Sequence, residues 1–375
     1  MDTVGFDVLN QEPSRQPGIV SRGRASGESE MSPASSRNAA SRIAILDGWR
    51  AVSIVAVLAG HLLPLGPSQF QLNAAVAASG MAIFFTLSGF LIASILRNDP
   101  DVRRFLIHRI CRIMPLAWLA MVILAFANHA DLATVAANAL FYANLPPARL
   151  MYGGEHLWSL CVEVQFYGVA ALLVLIAGRR GLYALPVAAL VITGMRIFAG
   201  ETISIVTWHR VDEILAGATL ALVLAAAGVP GRKIALPRWL PILLGGCLLA
   251  SAHPALPWLG YCRPYFAAAM VGCSIVASPA WLRRALESAP ARYVAEISYA
   301  LYVVHAMLSA TWLGSGNGSM LQKYALRPML IAATWGLAHL STFHFERRWI
   351  ALGKRLADDR EPVAANPGAP GTGAV

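Results

Sequence analysis

The 375-residue sequence has little charge: Asp, Glu, Lys and Arg make up 13% of it, whereas hydrophobic residues make up 57%. Soluble domains carry roughly a quarter charged residues, so this chain lacks the polar groups needed to cover a water-facing surface. The shortage excludes an ordinary soluble protein. Several charge-free runs exceed the ~20 residues that a membrane-spanning helix needs. These runs are 51–96, 113–130, 214–231, 239–262, 264–282, 297–322 and 328–345.

Cysteine is also scarce, and the five residues form no CxxC pair. Their scattered positions favour small apolar packing residues over a disulfide framework or a zinc site, and we expect no metal. The long apolar runs lack the alternation of a membrane β-barrel. The net charge of +10 is spread in short clusters between apolar runs, which argues against nucleic acid as a partner. The cysteines are Cys111, Cys161, Cys247, Cys262 and Cys273.

What remains is an all-α, polytopic integral membrane protein with about ten transmembrane helices, flanked by two tails. Residues 1–41 are polar and rich in Ser, and residues 351–375 contain several Pro and Gly, so we predict disordered tails around a membrane domain at 42–350. The segment 132–145 is short enough to be re-entrant or interfacial. The predicted helices lie near 43–65, 74–96, 110–128, 157–177, 182–199, 210–228, 239–252, 264–281, 293–313 and 326–346.

The distribution of Lys and Arg predicts the orientation of these helices. If the N-terminus is cytoplasmic, segments on that side hold 23 of the 30 Lys and Arg residues, and the opposite loops hold five. Positive residues collect on the cytoplasmic side of membrane proteins. Both termini are therefore expected to be cytoplasmic.

Ionisable residues within the first apolar run are functional candidates, because charged or titratable groups are costly in a bilayer. Arg50 and His61 have ten residues between them, which a helix converts to ~16 Å along its axis. Asp47 precedes Arg50 by three residues and can pair with it. A single His in a helix is more often a structural residue whose hydrogen bonds are satisfied. Arg50 and His61 alone therefore do not establish a functional site.

Two further polar patterns occur in the neighbouring helices. Arg109 and Arg112 lie one turn apart and can form a forked anion site suited to phosphates, although they also fit a plain topological anchor. Glu155, Ser159 and Glu163 are spaced at i, i+4 and i+8, which places them on one helical stripe. Glu155 also fits a helix-capping acid. Arg210, Asp212 and His305 are weaker candidates taken singly.

These patterns occur together, in one order. The segments LDGWRAVSIVAVLAGH, FFTLSGFLIASIL, RRFLIHRICRIMPLAW, HLWSLCVEVQFY and ISYALYVVH resemble the membrane acyltransferase-3 family of bacterial surface-polysaccharide O-acyltransferases. The resemblance covers roughly 42–346, and its most specific elements are the pairs Arg50/His61 and Arg109/Arg112. The usual element WSLSVEEQFY is altered, because Cys161 replaces a serine and Val164 replaces the second glutamate.

The resemblance implies an enzyme of the bacterial inner membrane that moves an acyl group, most simply acetyl, from cytoplasmic acyl-CoA to a hydroxyl of a cell-surface or exported saccharide. It implies catalytic roles for His61, Glu163 and Ser159, with Glu163 fixing the tautomer of His61. Arg50, Arg109 and Arg112 are expected to hold acyl-CoA, which is a substrate and not a permanently bound cofactor. His305 and Ser88 are expected to be mainly structural.

Several alternatives stay open at the level of sequence. The acceptor can be an exopolysaccharide, a lipopolysaccharide or another lipid-linked saccharide, and a lipo-oligosaccharide signal or a macrolide also fits. His61 can act as a general base or carry the acyl group itself. A transporter or flippase is the rival from another class, because charged residues in a membrane also mark substrate pathways.

Overall fold

The computed structural model describes residues 33–228, 236–315 and 319–358, with side chains from residue 44 onward. Every regular element within these ranges is helical. The α-helices are α1 Pro33–Leu62, α2 Leu72–Asn98, α3 Val102–Ala127, α4 Leu132–Ala139, α5 Trp158–Ala177, α6 Ala184–Ala199, α7 Asp212–Ala226, α8 Leu240–Ser251, α9 Arg263–Ala277, α10 Ala280–Leu286, α11 Ala289–Ser309, α12 Trp312–Ser315, α13 Met320–Ala325, α14 Arg327–Leu340 and α15 Arg347–Asp358. A π-helical turn, Ser341–Glu346, joins α14 to α15.

A helix occupies each of the ten segments predicted to be helical, which confirms the all-α class for the described part of the chain. Four stretches there are long and apolar enough to cross a membrane: Ala44–Leu62, Leu72–Asn98, Val102–Ala127 and Glu155–Ala199. The bent pair α9 and α10, with 105° between its helices, makes a fifth if it is one span. The number of ten spans and the in–out orientation stay predictions.

The helix ends differ from the prediction in three places. α1 extends back to Pro33, although the tail was placed at 1–41. α3 begins at Val102, earlier than predicted, because the side chain of Asp101 caps it by accepting a hydrogen bond from the Arg104 backbone N–H at 2.9 Å. α15 reaches Asp358 and so includes the start of the predicted C-terminal tail. The rest of both tails lies outside the described residues.

The short segment after α3 folds as α4, capped by Asp131. Its carboxylate accepts a hydrogen bond from the Thr134 backbone N–H at 2.9 Å. Hydrogen bonds from Thr134 lower the pKa of Asp131, because they favour the charged carboxylate. This helix has eight residues, too few to span a bilayer.

Two glycines bring α2 and α7 into direct backbone contact. A methyl group at Gly89 would lie 1.8 Å from the carbonyl oxygen of Ile214, and one at Gly217 would lie 2.0 Å from that of Thr86. Small residues allow this approach between helices in a membrane, where packing replaces the hydrophobic effect as the driving force. Ser88, next to Gly89 on α2, is buried in the bundle.

α1 and α11 pack side by side and run in the same direction. Arg50 and Ser298 line one cavity near the start of this contact, while His61 and His305 form a hydrogen bond near its end. The polar residues of α1 and those of α11 therefore face one another along the helices.

The last helix, α15, packs on the first half of α3. A methyl group at Gly353 would lie 2.7 Å from Cβ of Cys111, so only glycine allows this approach. Arg103 donates a hydrogen bond to the carbonyl oxygen of Leu356 at 3.0 Å. α15 thus supports the part of α3 that carries Arg109 and Arg112.

Candidate active site

A pair of histidines joins the end of α1 to α11. Nδ1 of His61 lies 3.0 Å from Nε2 of His305, and the two rings stack with 10° between their planes. His61 is exposed, whereas His305 is fully buried. The pair therefore has one member open to a substrate and one held inside the bundle.

A third histidine, His156, packs on the buried member of the pair. Its ring lies edge-on to that of His305, with 4.9 Å between the centroids. Nε2 of His156 lies 3.2 Å from the carbonyl oxygen of Val303, so it donates there. Nδ1 of His156 is buried and has no hydrogen-bond partner among the described residues. His156 therefore holds an unused acceptor beside the histidine pair.

Ser159 lies near this cluster but does not contact His61. Its hydroxyl is 2.6 Å from the hydroxyl of Tyr302, and Tyr302 in turn donates to the carbonyl oxygen of His156. Because that carbonyl only accepts, Ser159 must donate to Tyr302. The structure thus gives Ser159 a part in anchoring α5 to α11, and it shows no base beside the Ser159 hydroxyl among the described residues.

Glu163 lies one turn further along α5, between two hydroxyl groups. One carboxylate oxygen accepts from Ser88, and the same oxygen accepts from Tyr167 at 2.7 Å. The structure does not place Glu163 on His61 as expected: Nδ1 of His61 bonds to His305, and Glu163 accepts from Ser88 and Tyr167. The catalytic role of Glu163 stays a prediction. Glu163 does lie within electrostatic range of Arg50.

The predicted donor-binding residues Arg50, Arg109 and Arg112 come together and are called the open arginine group below. Arg50 lies within electrostatic range of Arg109 and Arg112, and it forms an ion pair with Asp47 at 2.9 Å. The guanidinium carbon of Arg109 lies 5.9 Å from the centre of the Tyr167 ring. Across the described ranges, neither Arg109 nor Arg112 has a carboxylate within 4.0 Å. Their donors are available to an anion.

A narrow cavity lies between the open arginine group and the histidine cluster. Its volume is about 10 Å³, roughly the minimum needed to hold one water. On α1 it follows the face that leads from Arg50 through Val57 to His61. The lining residues are Arg50, Ser53, Ile54, Val57, Met81, Phe84, Ser298 and Tyr302.

A second set of arginines, Arg196, Arg210 and Arg263, is called the paired arginine group. Arg196 bonds to Asp212, while Arg210 and Arg263 both approach Glu213, at 3.2 Å and 2.6 Å. All five side chains are buried. Arg210 also lies over the rings of Phe85 and Trp158. This group holds α6, α7 and α9 together by internal ion pairs.

Sequence reasoning did not single out His156 and Tyr302, and it expected His305 and Ser88 to be mainly structural. The structure places His305 against His61 and Ser88 against Glu163. His156 and Tyr302 lie inside the quoted segments HLWSLCVEVQFY and ISYALYVVH, so the signal was present as motif membership. Nothing in the residue types alone separates them from their apolar neighbours. Their role depends on contacts between α5 and α11, which are distant in sequence.

The fold and the site define a multi-helix protein with membrane-capable helices and a polar site gathered between α1, α3, α5 and α11. The family model for the acyltransferase domain, that of the acyltransferase-3 family, matches residues 43–338. The chain belongs to this family.

A curated relative is "Putative peptidoglycan O-acetyltransferase YrhL" of Bacillus subtilis (strain 168). It is 35% identical over 147 residues, which cover 32% of this chain and 22% of the relative. This chain therefore spans about a fifth of the relative's length in the match. No solved structure matches the chain.

Proposed function

We propose that the protein is an acyl-CoA-dependent O-acyltransferase of the bacterial inner membrane, which transfers an acetyl group to a hydroxyl of a cell-surface or exported saccharide. The observation that carries the proposal is that the exposed His61 and Arg50, a member of the open arginine group, lie on one face of α1, with ~16 Å of helix between them. Family membership supplies acyl transfer as the reaction class.

The open arginine group is the proposed binding site for the phosphates of CoA. Arg109 and Arg112 present guanidinium donors that no carboxylate of the described residues occupies, and such forks suit phosphate geometry. Since ~16 Å of helix separates Arg50 from His61, an extended pantetheine arm can lead from these phosphates to the histidine. The narrow cavity along α1 marks the proposed course of that arm and must widen to admit it.

At His61 the proposed step is direct transfer. Nε2 of His61 takes the proton of the acceptor hydroxyl while the hydroxyl oxygen attacks the thioester carbonyl carbon. The C–O bond forms, the C–S bond breaks, and the CoA thiolate leaves. The proton on His61 then passes to that thiolate, so the products are the acyl ester and free CoA thiol.

The proposed acceptor is a sugar hydroxyl. The relative's name gives peptidoglycan as the acceptor of that protein, which favours a cell-envelope saccharide here as well. His61 lies next to the C-terminal end of α1, ~16 Å along the helix from Arg50. Donor and acceptor can therefore approach from opposite ends of this stretch, as a transfer across a membrane requires.

The test is acyl transfer by purified protein in liposomes with labelled acetyl-CoA and soluble or lipid-linked sugar acceptors. Wild type should form a labelled ester, and His61→Ala should lose about 10²–10⁴-fold in rate, the usual contribution of a general base. His344→Ala is the matched control, because His344 is exposed in the π-helical turn and has no hydrogen bond within the described ranges. Absence of ester from wild type with every acceptor, together with movement of an unmodified substrate, would establish a transporter instead.

A further inference from the structure

The hydrogen bonds of His305 determine which of its nitrogens carries a proton. Nδ1 lies 2.7 Å from the carbonyl oxygen of Tyr302 and 3.3 Å from that of Leu301. A carbonyl oxygen can only accept a hydrogen bond. Nδ1 of His305 is therefore an N–H donor.

The surroundings of His305 determine the state of its other nitrogen. The ring is fully buried, and its neighbours in the described part of the chain are rings and carbonyl oxygens, with no carboxylate among them. Burying a charge without a partner is costly, so His305 is neutral and its Nε2 is an acceptor. The 3.0 Å contact with His61 then requires Nδ1 of His61 to donate.

We propose that His305 is a positioning residue that holds His61 in the Nδ1–H tautomer and so leaves the Nε2 lone pair of His61 for the acceptor hydroxyl. A neutral histidine in water favours the opposite tautomer, with its proton on Nε2, which cannot accept a proton there. The exposed Nε2 of His61 makes no hydrogen bond within the described ranges. The proposal rests on the function proposed above and identifies the atom that performs its proton transfer.

The same contact stabilises His61 during the reaction. When Nε2 takes the proton of the acceptor hydroxyl, His61 becomes an imidazolium, and its Nδ1–H bond to His305 becomes charge-assisted and stronger. His305 thus acts on His61 as the acidic member of a catalytic triad acts on its histidine, but with a neutral imidazole. The carbonyl oxygens of Leu301 and Tyr302 fix the ring of His305 in turn.

The direct measurement is the ¹⁵N spectrum of the imidazoles in protein labelled with [¹⁵N]histidine and reconstituted in liposomes. The His61 signals are assigned by their loss in His61→Gln. We expect a protonated Nδ1 and an unprotonated Nε2 for His61 in wild type. A protonated Nε2 on His61 overturns the proposal, whether or not the protein transfers acyl groups.

Two substitutions of His305 separate positioning from packing. His305→Phe keeps an aromatic ring but removes the acceptor, whereas His305→Gln keeps an acceptor near the position of Nε2. We expect His305→Phe to lower kcat by at least about ten-fold, since a wrong tautomer disables a catalytic histidine, while KM for acetyl-CoA stays within about two-fold. In the spectrum, His61 should shift to the Nε2–H tautomer in His305→Phe and keep Nδ1–H in His305→Gln.

His305→Gln should also recover most of the lost kcat. Equal losses in the two variants with an unchanged His61 tautomer would mean that His305 only packs, and would overturn the proposal. Failure of the proposed function looks different: wild type would give the Nδ1–H spectrum but no ester with any acceptor. The spectrum and the transfer assay therefore fail separately.

Discussion

The two arginine groups use the same side chain in opposite ways. In the paired arginine group, every guanidinium lies within 3.2 Å of a carboxylate and is almost completely buried. In the open arginine group, Arg109 is half-buried, Arg112 is exposed, and neither has a carboxylate partner in the described ranges. The first group pairs its charges within its own chain, although guanidinium nitrogens of Arg210 and Arg263 have no hydrogen-bond partner among the described residues. The second group has no carboxylate at Arg109 or Arg112, so these donors are available to another molecule.

The comparison teaches that pairing separates structural from functional charge better than burial or depth does. Charged residues within a membrane protein are functional candidates by default, and the paired arginine group meets that criterion without showing an opening to a ligand. The two groups should therefore respond differently to substitution: one by loss of folded protein, the other by loss of binding.

The largest effect should come from breaking one ion pair of the paired arginine group. Asp212→Leu leaves Arg196 buried and uncompensated, which costs about 3–5 kcal/mol in comparable cases. The double variant Arg196→Met/Asp212→Leu should recover part of this loss, because no charge is then left buried. The yield of monodisperse protein in detergent and its thermal midpoint measure both. A double variant whose loss equals the sum of the losses of Arg196→Met and Asp212→Leu would show that the pair is not coupled.

A smaller effect, limited to ligand binding, should follow from removing an arginine of the open arginine group. Arg109→Ala and Arg112→Ala should each weaken acetyl-CoA binding about ten-fold or more, the value of a charge-assisted hydrogen bond. Binding of S-acetylpantetheine, which lacks the nucleotide phosphates, should change little, and so should the thermal midpoint. Lysine at either position should restore charge but not the fork.

Isothermal titration of the reconstituted protein gives both affinities. Equal losses for acetyl-CoA and S-acetylpantetheine would assign Arg109 and Arg112 to folding, and would remove the contrast between the two arginine groups.

The packing of α15 on α3 predicts that two Gly→Ala substitutions change the stability of the protein in opposite directions. Gly353→Ala should destabilise the protein by about 1–3 kcal/mol through overpacking, because the new methyl meets Cys111 at 2.7 Å. Gly336→Ala is the matched control, since a methyl there meets nothing within 4 Å. In a helix interior that change stabilises by roughly 0.5–1 kcal/mol. Thermal unfolding followed by size-exclusion chromatography measures whether each substitution lowers or raises the thermal midpoint. A higher midpoint for Gly353→Ala would contradict the close contact with Cys111.

The smallest effect belongs to an exposed ion pair. Arg104 and Asp358 lie 3.2 Å apart, with side-chain exposures of 45% and 64%. Surface pairs contribute about 0–1 kcal/mol, so Asp358→Asn should leave the thermal midpoint and acetyl-CoA affinity nearly unchanged. If Asp358→Asn lowered the thermal midpoint as much as Asp212→Leu does, the exposure of an ion pair would not predict its contribution to stability.

Local patterns predicted much of the architecture and of the arginine site. Apolar runs marked all ten helical segments, and the spacing of Arg109 and Arg112 predicted that they share one helix face, which is on α3. Their proximity to Arg50 on α1 was not predicted from spacing. Helix periodicity is enough for such residues, because their positions depend on near neighbours in sequence.

Contacts between distant segments could not be predicted in the same way. His61 and His305 are 244 residues apart, and no periodic pattern encodes which helix faces which. Glu163 looked like the partner of His61 because it carries a carboxylate, but it accepts a hydrogen bond from Ser88 on α2. The partner of a titratable residue is a property of the packed bundle.

The side-by-side packing of α1 and α11 has a consequence for biosynthesis. His61 is among the first membrane-domain residues to leave the ribosome, and His305 follows only after most of that domain has been translated. Chain elongation at about 5–20 residues per second therefore keeps a nascent His61 without its partner for many seconds. If His305 sets the tautomer of His61, as proposed, a nascent chain that already holds the arginines of α3 lacks the group that prepares His61, and the catalytic site forms only when α11 joins α1.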